Sequence, residues 1–420
     1  ACVIGYLACF ASLNIYIQSF ARLVWSQAQH KPESYLARLS PRQIPRNALN
    51  AVLGSCVVST LCIYLLDINL DALIVYANGI FIMIYLLCML GIGIFFFVKN
   101  RNGGEKTYFL GGREMGPWVA ALSAGASDMS AWVLMGLPTS IYALGLGQVW
   151  IPVGLAIGYT ISWLLEAPRL RKFSIVANDS ITIPQYLTNR FLSKSLALQV
   201  ICAIVFLVAY TIYAASSVKA CGTLFHTVIG MDPQIAMYLA AVVIVGYTFL
   251  GGFSAVCWTD FFQGMLVLGS MFIAPIFAAF MLDTSSTSAL PGGYLNPFSS
   301  WQDIVSGLAW GLGYFGMPHI IIRFMSIKSQ KDLKKSAKIG ITWTLLIVFF
   351  ATLIGVIGRL FLGFDESINE NSLVFIQIVR KIFPGVISGI LLSAVLAASM
   401  STADLSLIHI SEPTRPLYIS

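Results

Sequence analysis

The chain holds 420 residues, of which 58% are hydrophobic and 10% charged, against roughly 25% charged in a soluble domain. That balance excludes an ordinary soluble globular protein, a disordered chain and a secreted disulfide scaffold, and it describes an all-α polytopic membrane protein. The net charge of +7 reads as loop orientation: no basic stretch interleaved with aromatics is present, so the expected partner is a lipid bilayer and no nucleic acid.

A helix needs about 20 apolar residues to cross the hydrocarbon core. In lipid its backbone groups must be satisfied within the segment. Eleven such runs are predicted, at 2–26, 48–66, 72–98, 117–142, 148–166, 195–220, 233–252, 255–282, 303–325, 338–363 and 383–403. The loops between them alternate in charge. One set is basic, with Lys31, Arg38, Arg42 and Arg46, then Lys99, Arg101, Lys106 and Arg113, then Arg169, Arg171, Lys172, Arg190 and Lys194, and finally Lys328 to Lys338. The other set, Asp67 to Asp71, Ala143 to Gly147, Asp283 to Asp303 and Phe364 to Ser372, lacks that excess. The positive-inside rule places the basic set in the cytoplasm and the N-terminus outside. Lys219 and Arg359 near outer helix ends read as snorkelling side chains. An amphipathic stretch, Leu373 to Phe383, is expected at the outer interface. The eight cysteines fall mostly in apolar runs without C-x-x-C spacing, and the four His are scattered, so no zinc site is suggested.

Three constellations carry chemistry. Asp128 is the one acidic or basic residue between Met115 and Leu165, and it falls mid-span among Ser123, Ala124, Gly125, Ala126, Ser127 and Ser130. A carboxylate at a helix centre costs about 2.5–3.5 kcal/mol on insertion scales, so it demands a partner, a cation or a water-filled cavity. The small residues, with Gly136 and Pro138 following, favour a discontinuous helix whose carbonyls can bind a hard cation. An Asp–Ser hydrogen bond between close-packed helices is the structural alternative. The second constellation is Ser401-Thr402 in the last span. Its hydroxyls can ligate Na⁺ if that helix packs on the Asp128 helix, and otherwise they join helices. The third runs from Trp310 to His319, where Gly311, Gly313, Gly316 and Pro318 loosen a helix with Trp310 and Tyr314 on one face. It suits an unwound segment walling a small zwitterion, or a kinked packing helix. His319 reads as a packing histidine. Trp258-Thr259-Asp260 opens the 255–282 span, where an N-cap by Thr259 or Asp260 is the default reading. No H-E-x-x-H, P-loop or nucleophile-elbow motif occurs, so the chain reads as no enzyme.

Five segments, taken together and in this order, resemble the solute:sodium symporter family. They are Phe109-Leu-Gly-Gly-Arg113-Glu-Met-Gly, Ser123-Ala-Gly-Ala-Ser-Asp-Met-Ser, Tyr247-Thr-Phe-Leu-Gly-Gly, Trp258-Thr-Asp and Trp310-Gly-Leu-Gly-Tyr-Phe-Gly. The resemblance implies a LeuT-like inverted-repeat transporter core in a bacterial cytoplasmic (inner) membrane, with Na⁺ as coupling ion and L-proline as solute. It implies a sodium site from the carbonyls of Ala126, Met129 and Ala398 with the Ser401 and Thr402 hydroxyls, beside the coupling residue Asp128. It assigns Tyr213, Trp310, Tyr314 and Pro318 to the solute, and Arg113 and Asp260 to transport at the cytoplasmic side. Met317 departs from the Gln of some proline carriers, which leaves another small organic solute open.

The likeness covers about 91–404. Residues 1–90 instead resemble an amino-acid efflux permease fragment, at Gly5 to Asn14 and Ile80 to Met89, with the third span hybrid. Residues 405–420 read as a non-native tail, since Leu405 to Arg415 looks like a translated sequencing adapter. On that reading the core is incomplete at the C-terminus. A chimeric chain that holds the site without completing a transport cycle is then the remaining alternative.

Overall fold

The computed structural model describes Trp25, Ala28, Leu36, 47–54, Val57, 70–101, 104–193, 197–282 and 290–411. The spans read at 2–26 and 48–66 lie almost wholly outside the described residues. The chain forms two units, 1–73 and 74–420. In the first, 47–54 is helical. The second holds everything below.

Its elements are α1 (Leu70–Lys99, counted here from Ile74), α2 (Glu105–Leu110), α3 (Pro117–Asp128), α4 (Ala131–Leu134), α5 (Gly136–Leu144), α6 (Trp150–Ile161), α7 (Ala167–Val176) and α8 (Ile183–Arg190). They continue with α9 (Ala197–Ile229), α10 (Pro233–Phe280), α11 (Trp301–Ala309), α12 (Pro318–Ser326), α13 (Gln330–Leu362), α14 (Glu366–Glu370), α15 (Val374–Ile382) and α16 (Gly385–Ser411). Among the described residues six helices are long and apolar enough to cross a membrane, and the bent pair Trp301–Phe315 and Pro318–Ser326 makes a seventh.

The departures from the expected spans have local causes. The run at 117–142 is three helices. It breaks where Met129 (φ −80°, ψ 71°) and Ser130 (φ −56°, ψ −179°) leave the helical region. The runs at 233–252 and 255–282 are the two halves of α10. Its 48 residues exceed any bilayer crossing at 1.5 Å per residue. Gly252 divides them at φ 59°, ψ −162°, a conformation open to glycine alone, and a Cβ there would meet Tyr108 at 2.8 Å. The run at 303–325 loosens to a 3₁₀ turn over Trp310–Phe315 and restarts as α12 after an extended Met317, with Pro318 in the first turn. α13 begins at Gln330, ahead of the apolar run, because the Ser329 hydroxyl caps the Asp332 amide. α16 continues as helix past the expected end at 403 to Ser411.

The loops gather at two ends as their charges require. At the basic end Met115 and Lys328 pair through backbone bonds (Met115 N to Ser326 O, 3.2 Å; Lys328 N to Met115 O, 3.2 Å), and Arg171 Nε donates to Ile327 O at 2.6 Å. At the other end Leu146 N donates to Tyr294 O at 2.7 Å, and Tyr142 Oη to Gly363 O at 2.6 Å. Arg359 does not simply snorkel. Its guanidinium lies over Phe364 at 4.3 Å, Tyr142 at 5.6 Å and Tyr294 at 5.8 Å, so rings take part of the place of water. The amphipathic stretch forms α15, which buries Val374, Phe375, Ile376, Ile378 and Val379 and leaves Arg380 and Lys381 exposed.

α16 is the most enclosed of the spans. Two of its hydroxyls bond back within the helix, Ser393 to Gly389 O and Ser399 to Val395 O at 2.8 Å each, which pairs them without a second helix. α6 meets the α11 region backbone to backbone. A Cβ on Gly154 would lie 2.3 Å from Gly307 O, and one on Gly158 2.1 Å from Gly311 O. These are two small-xxx-small faces packed on each other. Gly158→Leu is therefore expected to cost about 1–3 kcal/mol and to lower the unfolding midpoint in detergent. An unchanged midpoint would mean that the helices do not touch there.

Candidate functional site

The break in α3 places a charged residue at a free helix end. Asp128 closes the helix, and Tyr314 Oη, from the 3₁₀ turn, donates to its Oδ2 at 2.5 Å. His319 Nε2 stands 3.8 Å from Asp128 Oδ1. His319 is itself placed by Tyr210 Oη, 3.3 Å from its Nδ1, and by the Tyr213 ring at 6.2 Å. Above the break, Trp132 of α4 stacks on Trp310 with ring centroids 5.1 Å apart and planes 19° apart. The Trp132 ring fits only because residue 136 is glycine: a Cβ there would meet it at 2.4 Å. Tyr314 thus meets Asp128 directly, and Tyr213 lies one residue away from it across His319, while Pro318 opens the helix that carries His319.

The last turn of α3 meets α16. Ser401 Oγ donates to Ala126 O at 2.9 Å, across 275 residues of sequence, and approaches Ala398 O at 3.2 Å. Thr402 Oγ1 lies 3.1 Å from both Ser127 O and Ala398 O. Five oxygens from two helices therefore converge beside Asp128. Ala126, Ala398, Ser401 and Thr402 of the expected sodium set are together. Thr402 contacts the Ser127 carbonyl, which the sequence reading did not include, and among the described residues no hydrogen bond joins Met129's carbonyl to the pair. Hard, neutral oxygens suit an alkali-metal ion.

A second buried cluster grips the same helix from behind. Asp260 is fully buried and caps nothing: it lies inside α10, and Thr259 Oγ1 bonds back to Ala255 O and Val256 O. The N-cap reading fails because the helix runs continuously from Phe253. Asp260 Oδ2 accepts from Ser123 Oγ (2.7 Å), Ser127 Oγ (2.9 Å) and Arg323 Nη2 (2.7 Å). Arg323 also donates to Ser123 Oγ at 2.8 Å, Ser127 Oγ at 2.6 Å and His319 O at 2.6 Å. Sequence reasoning passed over Arg323, although a cation inside the 303–325 run was signal enough. It also left Asp404 without a role. Asp404 is fully buried and accepts from Tyr247 Oη at 2.7 Å.

Arg113 lies apart, at the basic end. It is 7% exposed and donates to Asp179 Oδ1 (3.0 Å), Ser174 Oγ (3.1 Å), Met325 O (2.7 Å) and Ser180 O (2.7 Å). This ties the α2–α3 link to α7 and to the end of α12. Burial raises the Asp179 pKa, but the Lys106 hydrogen bond and the Arg113 charge outweigh that and hold the carboxyl below its usual range.

The sequence profile of the Sodium:solute symporter family matches residues 108–414. A sodium/proline symporter of Staphylococcus aureus strain USA300 / TCH1516 is 41% identical over 336 residues, covering 78% of this chain and 65% of that protein. The strain JH9 protein of the same name is 40% identical over the same share. The chain thus spans 65% of the length of these curated relatives. Among solved structures, a substrate-bound, outward-open Na⁺-coupled sialic acid symporter superposes with a TM-score of 0.66 at 20% identity, over 80% of this chain and 73% of that one. That likeness concerns the fold.

Two outcomes follow. Asp260→Asn leaves a buried guanidinium without its counter-charge and is expected to cost about 3–5 kcal/mol. In detergent unfolding, adding Arg323→Gln should recover part of that loss, whereas additive losses would show the pair uncoupled. A depressed folded pKa makes the Asp179 contact stabilising above the ordinary carboxylate value and loses it as pH falls through the folded value. Below about pH 4 the unfolding midpoint should drop, and Asp179→Asn should flatten part of that slope.

Proposed function

The chain belongs to the sodium:solute symporter family, and we propose that it couples sodium entry to L-proline uptake across a bacterial cytoplasmic membrane. The observation that carries the proposal is the Ser401–Ala126 contact at 2.9 Å. It brings α16 hydroxyls to the carbonyls of a helix broken mid-membrane, where an ion can exchange water for fixed oxygens. In the proposed site Ala126, Ala398, Ser401 and Thr402 ligate sodium, with the Met129 carbonyl reaching it once the break adjusts. Asp128 is the coupling residue. An ion beside the α3 end fixes Asp128, and through it Tyr314, so sodium and solute strengthen each other's binding by the same factor.

The solute is proposed to lie against Tyr213, Trp310 and Tyr314, where Pro318 frees the backbone, with Trp132 stacked on Trp310. Proline as cargo is supported by the names of relatives at 40–41% identity. Asp260, with Arg323, keeps the α3 turn in place. Arg113 closes the basic end and has to release for solute to leave.

The test is uptake of labelled proline by proteoliposomes holding the 420-residue chain. Thr402→Ala and Ser401→Ala should each raise the sodium concentration for half-maximal uptake about tenfold, the scale of one oxygen contact to a charge. Tyr314→Phe should weaken proline more than sodium. Sodium dependence unchanged in both hydroxyl variants would sink the site. Uptake blocked by pantothenate or a sugar but not by excess proline would keep the coupling and change the cargo.

A further inference from the structure

A cavity of about 350 Å³ lies at the basic end, between the end of α1, α2 and the middle of α10. Phe97, Asn100, Arg101, Thr107, Tyr108 and Phe249 line it. Its floor exists because α10 turns at Gly252: Tyr108 sits against that glycine, and its hydroxyl donates to Phe249 O at 3.3 Å. The lining has two characters. Arg101 is exposed and forms no ion pair among the described residues, and Asn100 and Thr107 lie beside it. Lys99, 5.5 Å from the Phe96 ring centroid, adds a second cation at the same helix end. On the other side Phe97 and Phe249 are exposed, Phe249 to 73%, on spans whose outer surfaces face lipid.

We propose that this cavity seats the headgroup of an anionic phospholipid, with Arg101 on the phosphate and Thr107 and Asn100 on its ester or glycerol oxygens. Phe97 and Phe249 flank the start of the acyl chains. The place fits. The positive-inside rule makes this end cytoplasmic, where anionic lipids concentrate, and basic pockets between spans take such headgroups. A free phosphate would use the cation and leave the two exposed rings in the bilayer without purpose. A lipid uses both. The volume is within the roughly 300–1,000 Å³ of small-ligand sites.

The test is native mass spectrometry of the full chain in detergent, titrated with phosphatidylglycerol, phosphatidylcholine or inorganic phosphate. Wild type should retain phosphatidylglycerol over phosphatidylcholine, and Arg101→Gln should reduce that retention about fivefold, the scale of one basic contact with an anionic headgroup. Arg101→Lys should keep most of it and so shows that the fold survives. Lys334→Gln, an exposed charge elsewhere at the same end, should change nothing. Equal loss at Arg101 and Lys334 would reduce the effect to general surface charge, and displacement of the lipid by millimolar phosphate would make the ligand a free anion. Either result overturns the assignment, as does retention unchanged in Arg101→Gln.

Discussion

A helix that stops inside a membrane leaves carbonyls without amide donors in a medium that supplies none. α3 stops in this way at Asp128, and the packing around it answers to that interruption. The Ala126 and Ser127 carbonyls find Ser401 and Thr402 on α16, which obliges α16 to run through the most enclosed part of the bundle. Close approach is possible because the α3 turn is built from small residues: Gly125 leaves room for the Trp343 ring, which a Cβ would meet at 2.6 Å. The broken end that needs donors is thus also the place where hydroxyl and carbonyl oxygens of two helices gather, and the proposed sodium site rests on that.

The buried charges are arranged around the same turn. Arg323 and Asp260 face each other at 2.7 Å and are both fully buried, an arrangement that breaks about even against an apolar pair unless the remaining donors and acceptors are used. Ser123 and Ser127 use part of them, each accepting from Arg323 and donating to Asp260 Oδ2, while Asp260 Oδ1 has no hydrogen-bond partner among the described residues. Ser127 therefore links both clusters, its hydroxyl to the ion pair and its carbonyl to Thr402. Arg323 in turn holds the His319 carbonyl, one step from Asp128.

The two ends of the bundle are closed by different chemistry. The basic end is held by guanidinium forks on carbonyls, Arg113 on Met325 and Ser180, Arg171 on Ile327 and Lys328. The other end relies on rings around Arg359 and on the Tyr142 and Tyr294 hydroxyls. Hydrogen-bonded forks can be exchanged for water one at a time. That suits an end which must open, if the proposed transport cycle runs.

Much was legible from the chain alone. Composition and apolar run length require a membrane bundle. Small residues around Asp128, and Gly311, Gly313, Gly316 and Pro318, favour helices that break at those points, although a close-packed or merely kinked helix fits the same residues. Family motifs pointed to Ser401 and Thr402. What the tertiary structure alone decided is which polar groups meet. Asp260 looks like a helix cap and is the partner of Arg323. Trp132 carries no signal of its own in the sequence and is stacked on Trp310. Arg359 reads as a snorkelling cation and sits among three rings. Thr402 reaches the Ser127 carbonyl, a residue outside the expected sodium set. Apart from Arg359 with Phe364, these pairings join residues many tens to hundreds of positions apart. In spans that are apolar on nearly every face, periodicity does not say which face turns inward, so only the packed chain selects each partner.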